Sequence, residues 1–245
     1  MYSFESRVRY SECDRQCKLS LLSLVNYLQD CAIFHSEELG LGIDHMRLVR
    51  QSWLLAAWQI EIDQLPSLND RITVSAWCHS MGRRLASRNF TICDASGTQL
   101  VRADSLWFLY DFNLGRPTTV PDEQYAFVSD DAPLDLPPTK RKLPVEGPYS
   151  EAPAITVEEV HLDVNRHVNN AQYLGMAVNA LSSVFGPDEG ISPDDIARIC
   201  VQYRQQARLG DVIVPHIHQT DAIYTVDLAD PTGDSFAVVR IEPRA

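Results

Sequence analysis

Two stretches of this sequence repeat one order of elements, and the repeat narrows the available architectures more than any single motif does. Each opens on an extended segment, about Phe4 to Glu12 and about Ala154 to Leu162. A long helix follows in each, predicted from apolar residues at helical spacing. These are Leu21, Leu24, Val25, Leu28 and Ala32 in the first stretch, and Leu174, Ala177, Val178, Leu181 and Val184 in the second. Gly40 and Gly42 are expected to end the first helix and Gly186-Pro187 the second, since glycine accepts the left-handed cap and proline cannot continue a helix. Four strands are then predicted each time. They fall at about 52–63, 70–80, 84–94 and 98–111, and at about 196–207, 211–219, 222–228 and 235–242. Runs of strands without alternating helices make the class α+β, each half a curved antiparallel sheet wrapped round its own long helix. Self-similarity at this scale points to duplication of one unit.

Between the halves, residues 121–153 hold Pro121, Pro133, Pro137, Pro138, Pro144, Pro148 and Pro153 with little apolar period, which reads as a linker. The expected organisation is therefore a first domain at 1–120, the linker at 121–153 and a second domain at 154–245. The 21 Lys and Arg stand against 33 Asp and Glu, a formal charge of −12, which argues against binding nucleic acid through its phosphates. The longest apolar runs fall far short of the roughly 20 residues a spanning helix needs. The first residues carry no charged segment followed by an apolar one, so a cytoplasmic location is expected. Cysteines 13, 17, 31, 78, 93 and 200 lack a C-x-x-C pair, so neither zinc nor a disulfide frame is expected, and buried thiols are.

Chemistry concentrates in Asp163-Val164-Asn165-Arg166-His167-Val168-Asn169-Asn170, just before the second helix. Asp163, Asn165 and His167 recur at every second residue, a period that turns all three to one side of an extended approach. Asn169 or Asn170 can cap the helix, and backbone N–H groups at its start could hold a carbonyl oxygen. An offset of 149 lays Asp14 on Asp163, Lys18 on His167, Leu19 on Val168 and Ser20 on Asn169. The acid repeats and the imidazole does not, so only the second half can be the active one. His216 and His218 share a strand face, but without a third ligand they read as a surface pair and not a metal site.

The segment from His161 to Tyr173 resembles the active segment of the acyl-acyl carrier protein (acyl-ACP) thioesterase family nearly throughout. In the first half, Trp53, Pro66, Asp70, Trp77, Arg84, Ser87, Arg88, Phe90, Ser105, Trp107, Asp111 and Arg116-Pro117 are similar to that family's pattern. The resemblance implies a tandem, or double, hotdog fold and a place in fatty acid biosynthesis. It implies hydrolysis of the thioester joining a fatty acyl chain to the carrier's phosphopantetheine arm, with no metal and no bound cofactor. It also implies Asp163, Asn165 and His167 as the polar centre. Where plant members place a glutamate and then a cysteine, this chain has Gln206 and Ala207. A glutamine can position water but cannot take its proton, and no cysteine nucleophile is available there.

Asp163 is then expected to act as general base or as direct nucleophile, two roles that residue type alone does not separate. His167 would hold water or carbonyl and pass a proton, Asn165 would orient the water, and N–H groups at Asn169 and Asn170 would polarise the carbonyl. Trp53, Trp58 and Trp107 are candidates for the acyl pocket. Arg198, Arg204 and Arg208 are candidates for docking an acidic carrier protein. The competing functions are an acyl-CoA thioesterase and a catalytically silent acyl-thioester binder. A hotdog dehydratase would need a carboxylate and histidine pair for which no segment is seen, and a homodimer is left open as an assembly.

Overall fold

The computed structural model describes residues 1–186 and 193–244, and the chain divides into two units, Met1–Thr139 and Lys140–Ala245. The first unit contains β1 (Tyr2–Arg7), α1 (Leu21–Glu38), α2 (Ile43–Val49), β2 (Gln51–Ile62), β3 (Arg71–Met81), β4 (Leu85–Asp94), β5 (Gln99–Asp111) and β6 (Arg116–Pro117). Its strands run in the order β1-β3-β4-β5-β2, antiparallel throughout, with β6 on β5. The predicted stripe of α1 is the buried one: Leu24, Val25 and Leu28 are fully enclosed and the helix packs on β3. Truncating one such leucine to alanine typically costs about 2–5 kcal/mol. Ser20 caps the helix by accepting from the Ser23 N–H. At the other end Gly40 sits at φ +70° while the Leu41 N–H reaches back to the Ser36 carbonyl at 2.9 Å, a geometry that favours glycine. The seven-residue α2 has no counterpart in the sequence-based expectation because it buries no residue and shows no period.

The second unit holds β7 (Ser150–Glu151), β8 (Ile155–Thr156), α3 (Asn170–Phe185), β9 (Ile196–Tyr203), β10 (Val212–Thr220), β11 (Ile223–Ala229) and β12 (Ser235–Pro243). Its order is β9-β12-β11-β10, with both β7 and β8 on β10. The first unit read from its other edge is β2-β5-β4-β3-β1, so the two units share one topology. Tyr173, Leu174 and Ala177 form the buried stripe of α3. Gly186 stands as its C-cap, while Pro187, the other expected terminator, lies outside the described residues.

Two strand expectations are corrected. The segment 154–162 is not one strand: within it only Ile155–Thr156 (β8) pairs with β10, and Pro153, which lacks an N–H for the ladder, separates that piece from β7. Leading into the first helix, β1 ends at Arg7 and residues 10–12 form a 3-10 turn, as Glu159–His161 do before the second. The proline-rich stretch is also tied down by side chains. Trp53 Nε1 donates to Gln124 Oε1 (2.8 Å), Trp77 Nε1 to the Ala132 carbonyl (3.2 Å), and Gln59 Nε2 to the Pro137 carbonyl (2.9 Å). Leu143, in the second unit, is buried and its N–H donates to Gln202 Oε1 at 2.9 Å. The six cysteines are free thiols, but only Cys31 and Cys78 are buried and Cys17 is exposed.

Candidate active site

The segment before α3 is a tight turn and not an extended approach. Leu162 and Val168 bridge each other, the Asp163 N–H donates to the His167 carbonyl at 2.8 Å, and the Arg166 N–H donates to the Asp163 carbonyl at 3.0 Å. Arg166 takes a left-handed φ of 59° to close it. The expectation that a two-residue period places Asp163, Asn165 and His167 on one face is therefore corrected. What joins them is the Asp163 carboxylate, whose Oδ1 accepts from the backbone N–H of Asn165 (2.8 Å) and of His167 (3.4 Å). The Asn165 amide lies 3.4 Å from Oδ2 and its side chain is exposed. A short acidic side chain that satisfies the N–H groups just after it organises its own turn.

The first unit contains the same turn without the chemistry. Asp14 Oδ1 accepts from the N–H groups of Gln16 and Lys18 at 2.9 Å each. The Asp14 N–H donates to the Lys18 carbonyl at 2.8 Å, Cys17 sits at φ 59°, and Cys13 bridges Leu19. Each position matches its partner at the offset of 149. An aspartate kept in the half that has no imidazole is explained by backbone geometry, and the same geometry applies to Asp163. His167 is what distinguishes the second turn.

His167 is half-buried, and its pKa is lowered below the ordinary value of 6.5 by burial and by the Arg208 charge, against an opposing pull from Asp163. The imidazole is therefore neutral at pH 7 and able to accept a proton. Val168, its neighbour, donates to the Ala207 carbonyl at 2.9 Å, which brings residues 206–208 alongside the turn. The strand expected to reach 207 stops at Tyr203, because the N–H groups of Arg204 and Gln205 both turn to the Phe236 carbonyl. That leaves Gln206 exposed on a loop beside the candidate site. Two tyrosines with no assigned role in the sequence fix this junction. Tyr173 Oη accepts from the Ala207 N–H at 3.0 Å, and Tyr203 Oη donates to the Asn170 carbonyl at 3.0 Å. Burial raises both phenols, Tyr173 to about 12, so both stay protonated and donor-competent. Their positions four residues into the helix and at the strand end were the available signal.

The helix start is less open than expected. The Asn169 N–H is bonded to the His161 carbonyl at 2.9 Å, so Asn169 is withdrawn as a carbonyl-polarising donor. Its side chain caps the helix instead, accepting from the Ala171 N–H at 3.0 Å, and its carbonyl accepts from Gln172. The three docking arginines differ in their surroundings. Arg198 pairs with Glu242 at 3.2 Å, and Arg204 reaches Ser235 Oγ, the Leu143 carbonyl and Gln202 Oε1. Arg208 is exposed next to His167. His218 is buried rather than at the surface, and Tyr149 packs against both it and His216 at 5.5 and 4.2 Å. Among the described residues no cluster of three or more metal-ligating side chains occurs, and no helix is long and apolar enough to cross a membrane.

A separate cavity of about 490 Å³, counting its open mouth, lies inside the first unit. Trp53 and Trp107 line it with Ala32, Met46 and Met81. Trp58 is corrected as a pocket residue: register puts it opposite Ser105, one same-face step from Trp107, where it is 1% exposed and packs edge-on to Phe90.

Comparison with known proteins gives two matches that together span most of the chain. The acyl-ACP thioesterase N-terminal domain model matches residues 1–128, and the corresponding C-terminal domain model matches residues 149–242. A chloroplastic acyl-[acyl-carrier-protein] hydrolase of Cuphea viscosissima is 28% identical over 79% of this chain and 49% of its own length. The chloroplastic oleoyl-acyl carrier protein thioesterase 2 of Arabidopsis thaliana is 28% identical over 78% of this chain and 55% of its own. The chain thus spans about half the length of the curated relatives it matches. Among solved structures, an acyl-ACP thioesterase from Bacteroides thetaiotaomicron superposes with a TM-score of 0.85 at 19% identity, covering 99% of this chain and 97% of that one. The 12:0-ACP thioesterase from Umbellularia californica gives 0.79 at 21% identity, with 99% and 97% covered. These similarities establish the tandem hotdog fold.

Proposed function

Because the chain belongs to the acyl-ACP thioesterase family, we propose that it hydrolyses the thioester between a fatty acyl chain and the phosphopantetheine arm of acyl carrier protein. The observation that carries the reading is the asymmetry of the two duplicate turns, one holding Lys18 and the other a half-buried neutral His167. His167 accepts the proton of a water as its oxygen attacks the thioester carbonyl, and the imidazolium returns that proton to the sulfur as the carbon–sulfur bond breaks. Free acid and carrier thiol are the products. Asp163 shapes the turn through its backbone bonds, and its negative charge favours the imidazolium formed in the first step. Asn165, exposed within the turn, and Gln206, exposed beside it, are the water-positioning amides in this reading. The first unit's cavity, walled by Trp53 and Trp107, is the candidate site for an aliphatic chain.

Arg208, exposed beside His167, offers a positive charge to the acidic surface of a carrier protein or to the phosphates of coenzyme A, so it does not separate the two; the choice of carrier protein follows the family. The test is thiol release from acyl-ACP and from acyl-CoA carrying the same acyl group, over a series of chain lengths. A kcat/KM at least about tenfold higher for acyl-ACP is expected. Equal or inverted values would assign the chain to acyl-CoA, and binding of both without thiol release would make it a silent acyl-thioester binder.

A further inference from the structure

Arg88 lies in the wall of the first unit's cavity, 8% exposed, with no carboxylate among the described residues that line it. The guanidinium's only hydrogen-bond partner among the described residues is His35 Nδ1, 2.8 Å from Nη2, and its buried Nε has none. The guanidinium stands 5.7 Å from the centre of the Phe90 ring and 5.4 Å from that of Phe127, both weak attractors of a cation. His35 cannot supply a counter-charge: as the acceptor of this bond it is neutral, and burial with the Arg88 charge pushes it down to about 4. Nor can the nearby thiols, since burial pushes Cys31 up to about 12 and raises Cys78. Arg88 itself, lowered to about 10, stays charged at neutral pH.

A buried cation without an anion is costly, and such charges in proteins are normally paired. Around it the cavity is apolar: Ala32, Ile33, Met46, Trp53, Ala86 and Trp107. The only hydroxyls in the lining are those of Ser36 and Ser52; the first is given to the Ala32 carbonyl, the second to Met46 Sδ and the Trp53 carbonyl. An aliphatic body suits these walls, and a negatively charged oxygen suits Arg88.

We propose that the first unit's cavity binds an aliphatic chain bearing a carboxylate, with that carboxylate on Arg88. The carboxylate has two chemical sources, the head of a free fatty acid or a second carboxyl at the far end of an acyl chain. The inference concerns binding alone and its test needs no turnover, so it stands or falls apart from the hydrolase reading.

The test uses the full chain and four twelve-carbon ligands below their micellar concentrations at pH 8: dodecanoate, dodecan-1-ol, dodecanamide and the monoamide of dodecanedioic acid. Binding is read by calorimetry, and by quenching of tryptophan fluorescence with ω-brominated dodecanoate and dodecanol, since Trp53 and Trp107 line the cavity. A hydrogen bond to a charged group supports a preference of about tenfold or more. Dodecanoate tighter than dodecanol by that factor assigns the site to free fatty acid. The monoamide tighter than dodecanamide, without the first preference, assigns it to ω-carboxyl chains. In Arg88→Met, which replaces the cation by a flexible apolar side chain, the preference is expected to vanish while the alcohol still binds. Equal affinity of wild type for charged and uncharged members of both pairs overturns the proposal whether or not the variant folds, and so does a preference that survives Arg88→Met.

Discussion

Replacing His167 by alanine is expected to lower kcat for acyl-ACP hydrolysis by 100-fold or more, with little change in KM. A positioned general base contributes about 10²–10⁴-fold, and the amides at the site cannot take its place. Asn165 and Gln206 are amides, which orient water but do not accept a proton at neutral pH. The Asp163 carboxylate is engaged with the backbone N–H groups of residues 165 and 167. His167 is half-buried and carries no backbone role that the first unit's Lys18 does not fill equally well in the twin turn. The loss should therefore appear in turnover and not in folding, read as thiol release by a variant whose melting temperature is close to that of the parent. A folded His167→Ala chain with parental kcat would remove the imidazole from the mechanism.

The second large effect separates structure from chemistry at the paired aspartates. Asp14→Ala and Asp163→Ala each remove a carboxylate that accepts two backbone N–H groups within its own turn. Each is expected to destabilise its unit by about 0.5–2 kcal/mol, the range found when a capping side chain is lost from a helix end. Only Asp163→Ala should also cost turnover, by tenfold or more, because the freed turn no longer holds His167 and the charge favouring its protonated form is gone. Denaturant unfolding and acyl-ACP hydrolysis on the two variants read both effects. Loss of activity in Asp163→Ala with no loss of stability would contradict the anchoring role.

The elements carried by local pattern were legible in the sequence. The stripes of α1 and α3 declare themselves through Leu24, Val25 and Leu28 and through Leu174 and Ala177, and the duplicated order follows from counting strands after each helix. Less legible was whatever depended on where the backbone sends its hydrogen bonds. Asp163 reads equally as a reactive group and as a turn anchor until its oxygens are seen on the N–H groups of 165 and 167. The repeat at Asp14 was the one sequence signal for the second role. Residues 121–153 resemble a free linker because proline suppresses periodicity, yet Trp53, Trp77 and Gln59 reach out from the sheet to satisfy them. Arg88, set between Ser87 and Asn89 on a strand, resembles a surface cation. Its burial comes from α1 and Phe127 folding over that face, a long-range event with no local trace.

The roles of Asp163 and His167 in the candidate turn meet in one variant. Asparagine at position 163 keeps an oxygen for the N–H groups of 165 and 167 but can neither attack a carbonyl nor accept a proton. If His167 is the base, Asp163→Asn still hydrolyses acyl-ACP within roughly tenfold of the parent at its optimum. The acid limb of its pH–rate profile moves to lower pH, since the charge that raised the imidazole's pKa is gone. If turnover instead falls as far as in His167→Ala, the carboxylate itself attacks or takes the proton, and the assignment of His167 as base is wrong.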